Sequence, residues 1–272
     1  MILSLNPLYP DQEFLWVNHW IDADVVEKLK QAQAVIVPQV IDAMLYHFIR
    51  SNCPNVFPNY DTRFKWAGKA GDALLAWSLG IPHPRTAVFP KVVSLVGDHE
   101  EMGKGPFPIP PMPFVIKSNS GGEGSGTWLI RSQKDLELVL GILKHEELQG
   151  RTGFVVQQYV PGLERTLRVV VIGKFMECYW RVAEGGEFHS NVARGARIER
   201  DTFPEMMERG RKLVRMIVEK TMINLAGFDI CFLDDRPHLL EINYTFGRTG
   251  LGGQARFARL FTQAVEAWLN EL

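Results

Sequence analysis

The stretch GFDICFLDDRPHLLEIN, Gly227–Asn243, constrains the fold more than any other part of the chain. Two apolar runs flank the polar turn Asp234-Asp235-Arg236, so the stretch reads as two antiparallel strands. With the turn at those three residues, Leu233 pairs with Pro237. Counting back then sets Asp229 opposite Glu241, twelve residues on. Strand alternation puts Asp229, Glu241 and Asn243 on one face and Phe228, Ile230, Leu240 and Ile242 on the other. Like charges directly opposed on a sheet repel, so the two carboxylates need a counter-charge. Two sources are open. One is a hard divalent cation, because Mg2+ favours one or two carboxylates, an amide oxygen and substrate phosphates. The other is a structural network with arginines such as Arg168 or Arg248. Asp234 and Asp235 read as solvated turn residues.

The second constraint is FVIKSNSGGEGSGTW, Phe114–Trp128. FVIK and TWLI read as strands joined by a loop that holds Gly121, Gly122, Gly124 and Gly126. No Gly-Lys-Ser/Thr follows, so this is not a Walker loop. Glycines let a backbone approach a ligand closely and aim its amides at phosphate oxygens. Lys117, at the strand end, can add a point charge for phosphate. A mobile hairpin flap, a rigid phosphate nest and a plain flexible hairpin all fit the pattern, and Glu123 at the tip weighs mildly against a static cradle.

Elsewhere, helices interleave with hairpin-rich sheet, which predicts an α+β chain of more than one lobe. Helices are expected at Asp22–Lys30, over VIDAMLYHFIR, and through KWAGKAGDALLAWSLG with its end at Gly80. Ser132 with Asp135 marks a helix start, and Thr202 with Glu205 reads as a capping box for a long helix to about Met222. AVIVP and FVVQQY read as strands, and LRVVVIG and FMECYWRV as a hairpin about Gly173-Lys174. A further turn at Gly185-Gly186 leads into EFHSNVA. GDHEEMGKGPFPIPPMP is expected to be an exposed connection. Arg168 interrupts an apolar strand, so a buried anion contact is expected there. Arg181, Asn191 and Arg194 recur through the next hairpins and would suit a polyphosphate or a carboxylate.

Bulk properties narrow the function classes. A net charge of -1 gives no basic surplus for nucleic acid, and no run approaches a membrane span. No secretory leader is recognisable at the start, so a cytoplasmic protein is expected. Cys53, Cys178 and Cys231 are scattered and read as buried, reduced thiols.

Taken in order, these pieces resemble the ATP-grasp superfamily, and within it the RimK-type glutamate ligases and related carboxylate–amine ligases. The resemblance runs from about Lys65 to Leu251. It rests on Lys69 before GIPHPRT, Lys117 before GGEGSG, QQYV (Gln157, Gln158, Tyr159, Val160), Arg168, FHSNVARG, and GFDI with EIN. Gln158 and Thr166 stand where the family usually has acids, and Phe246 replaces a proline. The resemblance implies an ATP-grasp fold: two α+β lobes clasping ATP over 65–158 and 159–272, preceded by a short N-terminal α/β region over 1–64. It implies ATP and Mg2+ (or Mn2+) as cofactors, with Asp229, Glu241 and Asn243 on the metal. Lys69, Lys117, the glycine flap and residues 157–160 would bind the nucleotide. Arg168, Arg194 and Asn191 would serve the transferring phosphoryl group. The implied activity joins a small-molecule carboxylate to an amine on an amino acid, peptide or carrier protein, through an acyl phosphate. A kinase and an ATP-binding regulatory module are the alternatives. A homo-oligomer is compatible with the family; nucleic acid and membrane partners are not expected.

Overall fold

The computed structural model describes all residues except 11–12, 15–20, 97–108, 120–125, 161–162, 164 and 184–196. Three sheets succeed one another along the chain. The first is parallel, in the order β2 (Glu13–Phe14), β1 (Ile2–Ser4), β3 (Ala34–Ile36), β4 (Val56–Phe57). Helix α1 (Ala23–Gln31) follows β2, and α2 (Ala43–Asn52) joins β3 to β4. Each is capped by an aspartate whose side chain accepts from the first-turn amides: Asp22 from Val25, and Asp42 from Met44 and Leu45. Leu3, Val35, Tyr46, Ile49, Cys53 and Tyr60 form the core under this sheet.

Two helices follow where one was expected. α3 covers Asp61–Lys65 and α4 covers Gly68–Leu79, parted at Trp66–Ala67. Gly71 lets α4 fold back on that break, because a Cβ there would lie 2.3 Å from the Trp66 carbonyl oxygen. α4 ends at Gly80 in the left-handed conformation, as the glycine and following prolines predict.

The second sheet is antiparallel, in the order β5 (Thr86–Phe89), β8 (Phe154–Gln158), β6 (Phe114–Ser118), β7 (Thr127–Ile130). A short helix, α5 (Val93–Val96), follows β5. α6 (Gln133–Leu148) packs Leu136, Val139 and Leu143 onto Ile116, Phe154 and Val156. It opens with the capping box of Ser132 and Asp135.

The third sheet is antiparallel, in the order β11 (Arg197–Glu199), β10 (Phe175–Val182), β9 (Arg165–Ile172), β12 (Leu225–Leu233), β13 (Arg236–Asn243). It is buried on both faces. Leu167, Val169, Val171, Phe228 and Ile230 meet α7 (Pro204–Thr221) and Leu75 and Ala76 of α4. Val170 and Ile172 meet α8 (Gln254–Leu269), a helix that also packs against Ile36 and Phe57 of the first sheet.

Two local expectations are corrected. The Thr202–Glu205 capping box does not form. Pro204 takes the first helical position, so the cap falls on Phe203, and the Thr202 hydroxyl donates to Glu199 instead. The β12–β13 turn has two residues, not three. Asp234 and Asp235 both take left-handed backbone, φ 48° and 58°, and Leu233 pairs with Arg236. A bulge between Asp229 and Ile230 restores the pairing of Asp229 with Glu241, and it puts Leu239 in place of Leu240 in the core.

All three cysteines are buried free thiols. Among the described residues no helix is long and apolar enough to cross a membrane.

Candidate active site

β13 is an outer strand, and outer strands leave backbone N–H groups without ladder partners. The chain around α4 takes two of them. Ile242 N donates to Asp72 Oδ2 at 3.0 Å, and Leu239 N donates to the Pro82 carbonyl at 2.8 Å. This lays α4 along β13 and brings Lys69 Nζ to 4.0 Å from Glu241 Oε1. Burial raises the Asp72 carboxyl pKa well above its ordinary range; Glu241 pushes the same way, against the Ile242 amide and the nearby lysines.

The start of α4 is capped from the second sheet. Its preceding residue, Ala67, has no side-chain acceptor to offer, and Asn119 Oδ1 accepts from Ala70 N at 2.9 Å. Asn119 N in turn donates to Gly153 O at 3.1 Å. Gly68, at φ +73°, makes the approach possible, since a Cβ there would lie 2.3 Å from Asn119 Oδ1. Asn119 is two residues past Lys117, so the root of the glycine loop and the helix of Lys69 are fastened together. Burial lowers the ammonium pKa of Lys117; Glu241 opposes that shift and Lys69 adds to it. Lys69, Lys117, Asp72 and Glu241 therefore share one electrostatic environment.

On the α8 face of the third sheet, Arg168 and Asp229 are direct cross-strand partners. Arg168 Nε and Nη2 donate to the two Asp229 oxygens at 2.6 and 3.0 Å. Arg181 Nη2 reaches Asp229 Oδ1 at 2.7 Å and donates to Thr166 Oγ1 at 3.1 Å. Burial alone would raise the Asp229 carboxyl; the two guanidiniums outweigh it and hold the pKa below the usual value. Asn243 Nδ2 completes the set, donating to Asp229 Oδ2 at 3.0 Å. Gly227 leaves space for the arginine, since a Cβ there would lie 2.8 Å from Arg168 Nη1. Arg181 Nε is buried without a hydrogen-bond partner among the described residues. A buried donor left open on a guanidinium suits an incoming anion.

This donor set fits a hard cation in part. Glu241 is partly exposed and held only loosely by Lys69, and Asn243 keeps its amide oxygen after donating to Asp229. One carboxylate and one amide oxygen suit Mg2+ that keeps waters or phosphate oxygens as further ligands. Asp229 accepts four hydrogen bonds and is committed to the arginines as arranged. Among the described residues no three His, Cys, Asp or Glu side chains are grouped to hold a metal. Arginines are thus the counter-charge of Asp229 in this structure.

The profile of the RimK-like ATP-grasp domain matches residues 78–256, about two thirds of the chain. The chain belongs to the RimK-like ATP-grasp family. Among curated proteins it is similar to a probable alpha-L-glutamate ligase 2 of Shewanella frigidimarina (strain NCIMB 400). They are 28% identical over 142 residues, 51% of this chain and 45% of that protein. A namesake from Shewanella sp. (strain W3-18-1) is 32% identical over 147 residues, 52% of this chain and 45% of the relative. The chain spans less than half the length of these relatives. Among solved structures, a RimK domain ATP-grasp protein from Sphaerobacter thermophilus DSM 20745 aligns with TM-score 0.63 at 15% identity, covering 97% of this chain and 98% of that one. D-alanine--D-alanine ligase from Bacillus anthracis aligns with TM-score 0.64 at 15% identity, covering 96% and 88%. These likenesses establish the ATP-grasp fold.

Within this ATP-grasp domain, Lys69 meets Glu241, and Arg168 and Asn243 meet Asp229, while Lys117 shares the electrostatic environment of Lys69 and Glu241. Gln157 is buried, and its side chain donates to Thr86 Oγ1 at 3.0 Å, while Gln158 is exposed and its N donates to Arg85 O at 2.8 Å. Tyr159 and Val160 lie partly buried just after β8. Gly121, Gly122, Glu123, Gly124, Asn191 and Arg194 lie outside the described residues, as do Gly185-Gly186, the expected strand EFHSNVA and most of the expected connection before Phe114. Sequence reasoning missed Asp72, Asn119 and His83. An acid three residues after Lys69, heading the apolar run ALLAW, was the available signal for Asp72. Partly buried His83 has its pKa lowered to about 4, first by desolvation and then by Lys117.

Proposed function

We propose that this protein is an ATP- and Mg2+-dependent ligase that joins a carboxylate to an amine through an acyl phosphate. The observation that carries the reading is the convergence of Lys69 and Arg168 on the strand pair that bears Asp229 and Glu241, beside the open Nε of Arg181 and in the electrostatic reach of Lys117. Such a concentration of cations and carboxylates suits a metal–polyphosphate ligand. We take residues 65–158 and 159–272 as the two clasping lobes and 1–64 as the region preceding them.

In the proposed reaction a carboxylate oxygen attacks the γ-phosphorus, ADP leaves, and the amine then displaces phosphate from the acyl carbon with loss of a proton. Lys69 and Lys117 would neutralise the α- and β-phosphates. Glu241 and Asn243 would hold the cation, with Asp229 joining them on exchanging an arginine contact. Arg168, Arg181 and Arg194 would orient the transferring phosphoryl group, assisted by Asn191. The backbone of Gln157–Val160 would receive the adenine, and Gly121, Gly122 and Gly124 would close over the phosphates and exclude water. Positioning and charge neutralisation supply the rate enhancement, and no protein nucleophile is needed. The relatives' name makes L-glutamate the first amine to try.

ADP release measured over a panel of amino acids and carboxylates, with mass spectrometry of products, tests this. Amine-dependent phosphate release with a condensed product supports the ligase. A phosphorylated acceptor without free phosphate makes the protein a kinase, and tight nucleotide binding without turnover makes it a regulatory module.

A further inference from the structure

Two arginines from distant parts of the chain meet on one buried glutamine. Gln39, 8% exposed, follows β3. Its backbone oxygen accepts from Arg63 Nη1 at 2.8 Å, and its Oε1 accepts from Arg248 Nη2 at 3.2 Å. Its own Nε2 donates to Tyr244 O at 3.4 Å. Aromatic faces hold both guanidiniums. Arg63 lies 4.9 Å from the centre of the Tyr60 ring and 5.8 Å from that of Tyr244, and Arg248 lies 4.3 Å from that of Phe257.

Neither guanidinium has a carboxylate partner among the described residues. Arg248 Nη1 is turned to the neutral amide oxygen of Gln254. By contrast, Arg168 and Arg181 share Asp229, and Arg50 has Asp61. Two like charges gathered on a neutral residue repel, and a guanidinium has five donors, more than the neutral oxygens described here engage. Both arginines are only partly buried, so a small molecule can reach them.

We infer that Gln39, Arg63 and Arg248 form a carboxylate-binding subsite that holds a small-molecule substrate, of the amino-acid class, against the phosphoryl-transfer centre. The inference rests on the ligase reading and deepens it by naming a substrate-anchoring group. Tyr244 directly follows Asn243, so the subsite adjoins the strand end that carries Glu241 and Asn243. Gln39 keeps the subsite open: it orients both guanidiniums through neutral oxygens, where a glutamate would neutralise them from within. The carboxylate bound is either that of the amine substrate or that of an amine-free acid.

The test is calorimetric titration of the whole chain with L-glutamate and, separately, succinate, with and without Mg2+ and a non-hydrolysable ATP analogue. Wild type should bind at least one at millimolar concentration: L-glutamate alone for an amino-acid source, succinate also for an amine-free acid. Arg63→Gln and Arg248→Gln should each weaken that binding about tenfold or more. Gln39→Glu should weaken it as much while leaving the thermal midpoint unchanged or higher. Affinity for the nucleotide analogue should stay the same in all three. Wild-type-like carboxylate affinity in Arg248→Gln and Gln39→Glu, or no binding of either probe to wild type, overturns the subsite. Because the carboxylate titration is also run without nucleotide, a failure of nucleotide binding would sink the ligase reading and still leave the subsite decided.

Discussion

Arg168 and Asp229 face each other across β9 and β12, joined by two charge-assisted hydrogen bonds inside an otherwise apolar sheet. Arg181 binds the same carboxylate from β10. Two buried guanidiniums thus depend on one aspartate. Removing one partner of a buried pair leaves the others uncompensated, at a cost of about 3–5 kcal/mol. Asp229→Asn is therefore expected to lower unfolding stability by about that much in urea titrations. A loss below about 1 kcal/mol would mean that water or neighbouring groups solvate the arginines when the charge is gone.

Glu241 should behave differently, although it is paired with Asp229 in the same hairpin. Its side chain is 31% exposed and its ion pair with Lys69 is long, 4.0 Å. A pair this long, with its carboxylate open to water, contributes little, roughly 0–1 kcal/mol. Glu241→Gln should keep the wild-type thermal midpoint within a few degrees and lose Mg2+-dependent ADP release. Wild-type turnover in this variant would remove Glu241 from the metal site.

His83 sets a stability window in pH. Its pKa falls from 6.5 to about 4 in the folded chain because burial, and then Lys117, disfavour the imidazolium. Above pH 6.5 the ring is neutral in both states, and its contribution to stability is fully present. As pH falls from 6.5 towards 4, the unfolded chain takes up a proton that the folded chain does not, and stability drops, by up to about 3 kcal/mol. Equilibrium denaturation at a series of pH values should show this slope in wild type. His83→Asn should flatten it; an unchanged slope would assign the loss to other groups. Asp229 acts lower on the scale. Its depressed pKa contributes stability above the ordinary aspartate value, lost as pH falls through the folded one.

The fold was legible where local chemistry and tertiary packing agree. Apolar alternation gave the β9–β10 hairpin, and an arginine inside an apolar strand marked Arg168 for a buried anion, which proved to be Asp229. The pairing of Asp229 with Glu241 came out correctly through two errors that cancel: the turn is one residue shorter than counted, and a bulge adds that residue back. A bulge has no signature in alternation alone, so Leu239 and Leu240 could not be told apart. The Thr202 cap failed because Pro204 decides the helix start more strongly than a hydroxyl does. Asp72 and Asn119 were hidden for another reason. Each acts on a backbone amide far along the chain, Ile242 and Ala70, and nothing local marks a side chain for that use.

Asn119 gives the last prediction, because it joins the two halves of the proposed phosphate site. Its side-chain oxygen accepts from Ala70 N at the start of α4, the helix that carries Lys69 next to Glu241. Asn119→Ala should cost about 1 kcal/mol for the lost cap. It should also let the first turn of α4 shift, raising the KM for ATP several-fold with a smaller change in kcat, since Lys69 is assigned to binding the nucleotide. Asn119→Asp keeps an acceptor oxygen and adds a negative charge at a helix N-terminus, so it should recover the stability. Denaturation and steady-state kinetics on the two variants separate the roles. A stability loss in Asn119→Ala with an unchanged KM would confine Asn119 to holding the fold. A raised KM that tracks the lost cap makes it the residue through which the root of the glycine loop positions Lys69.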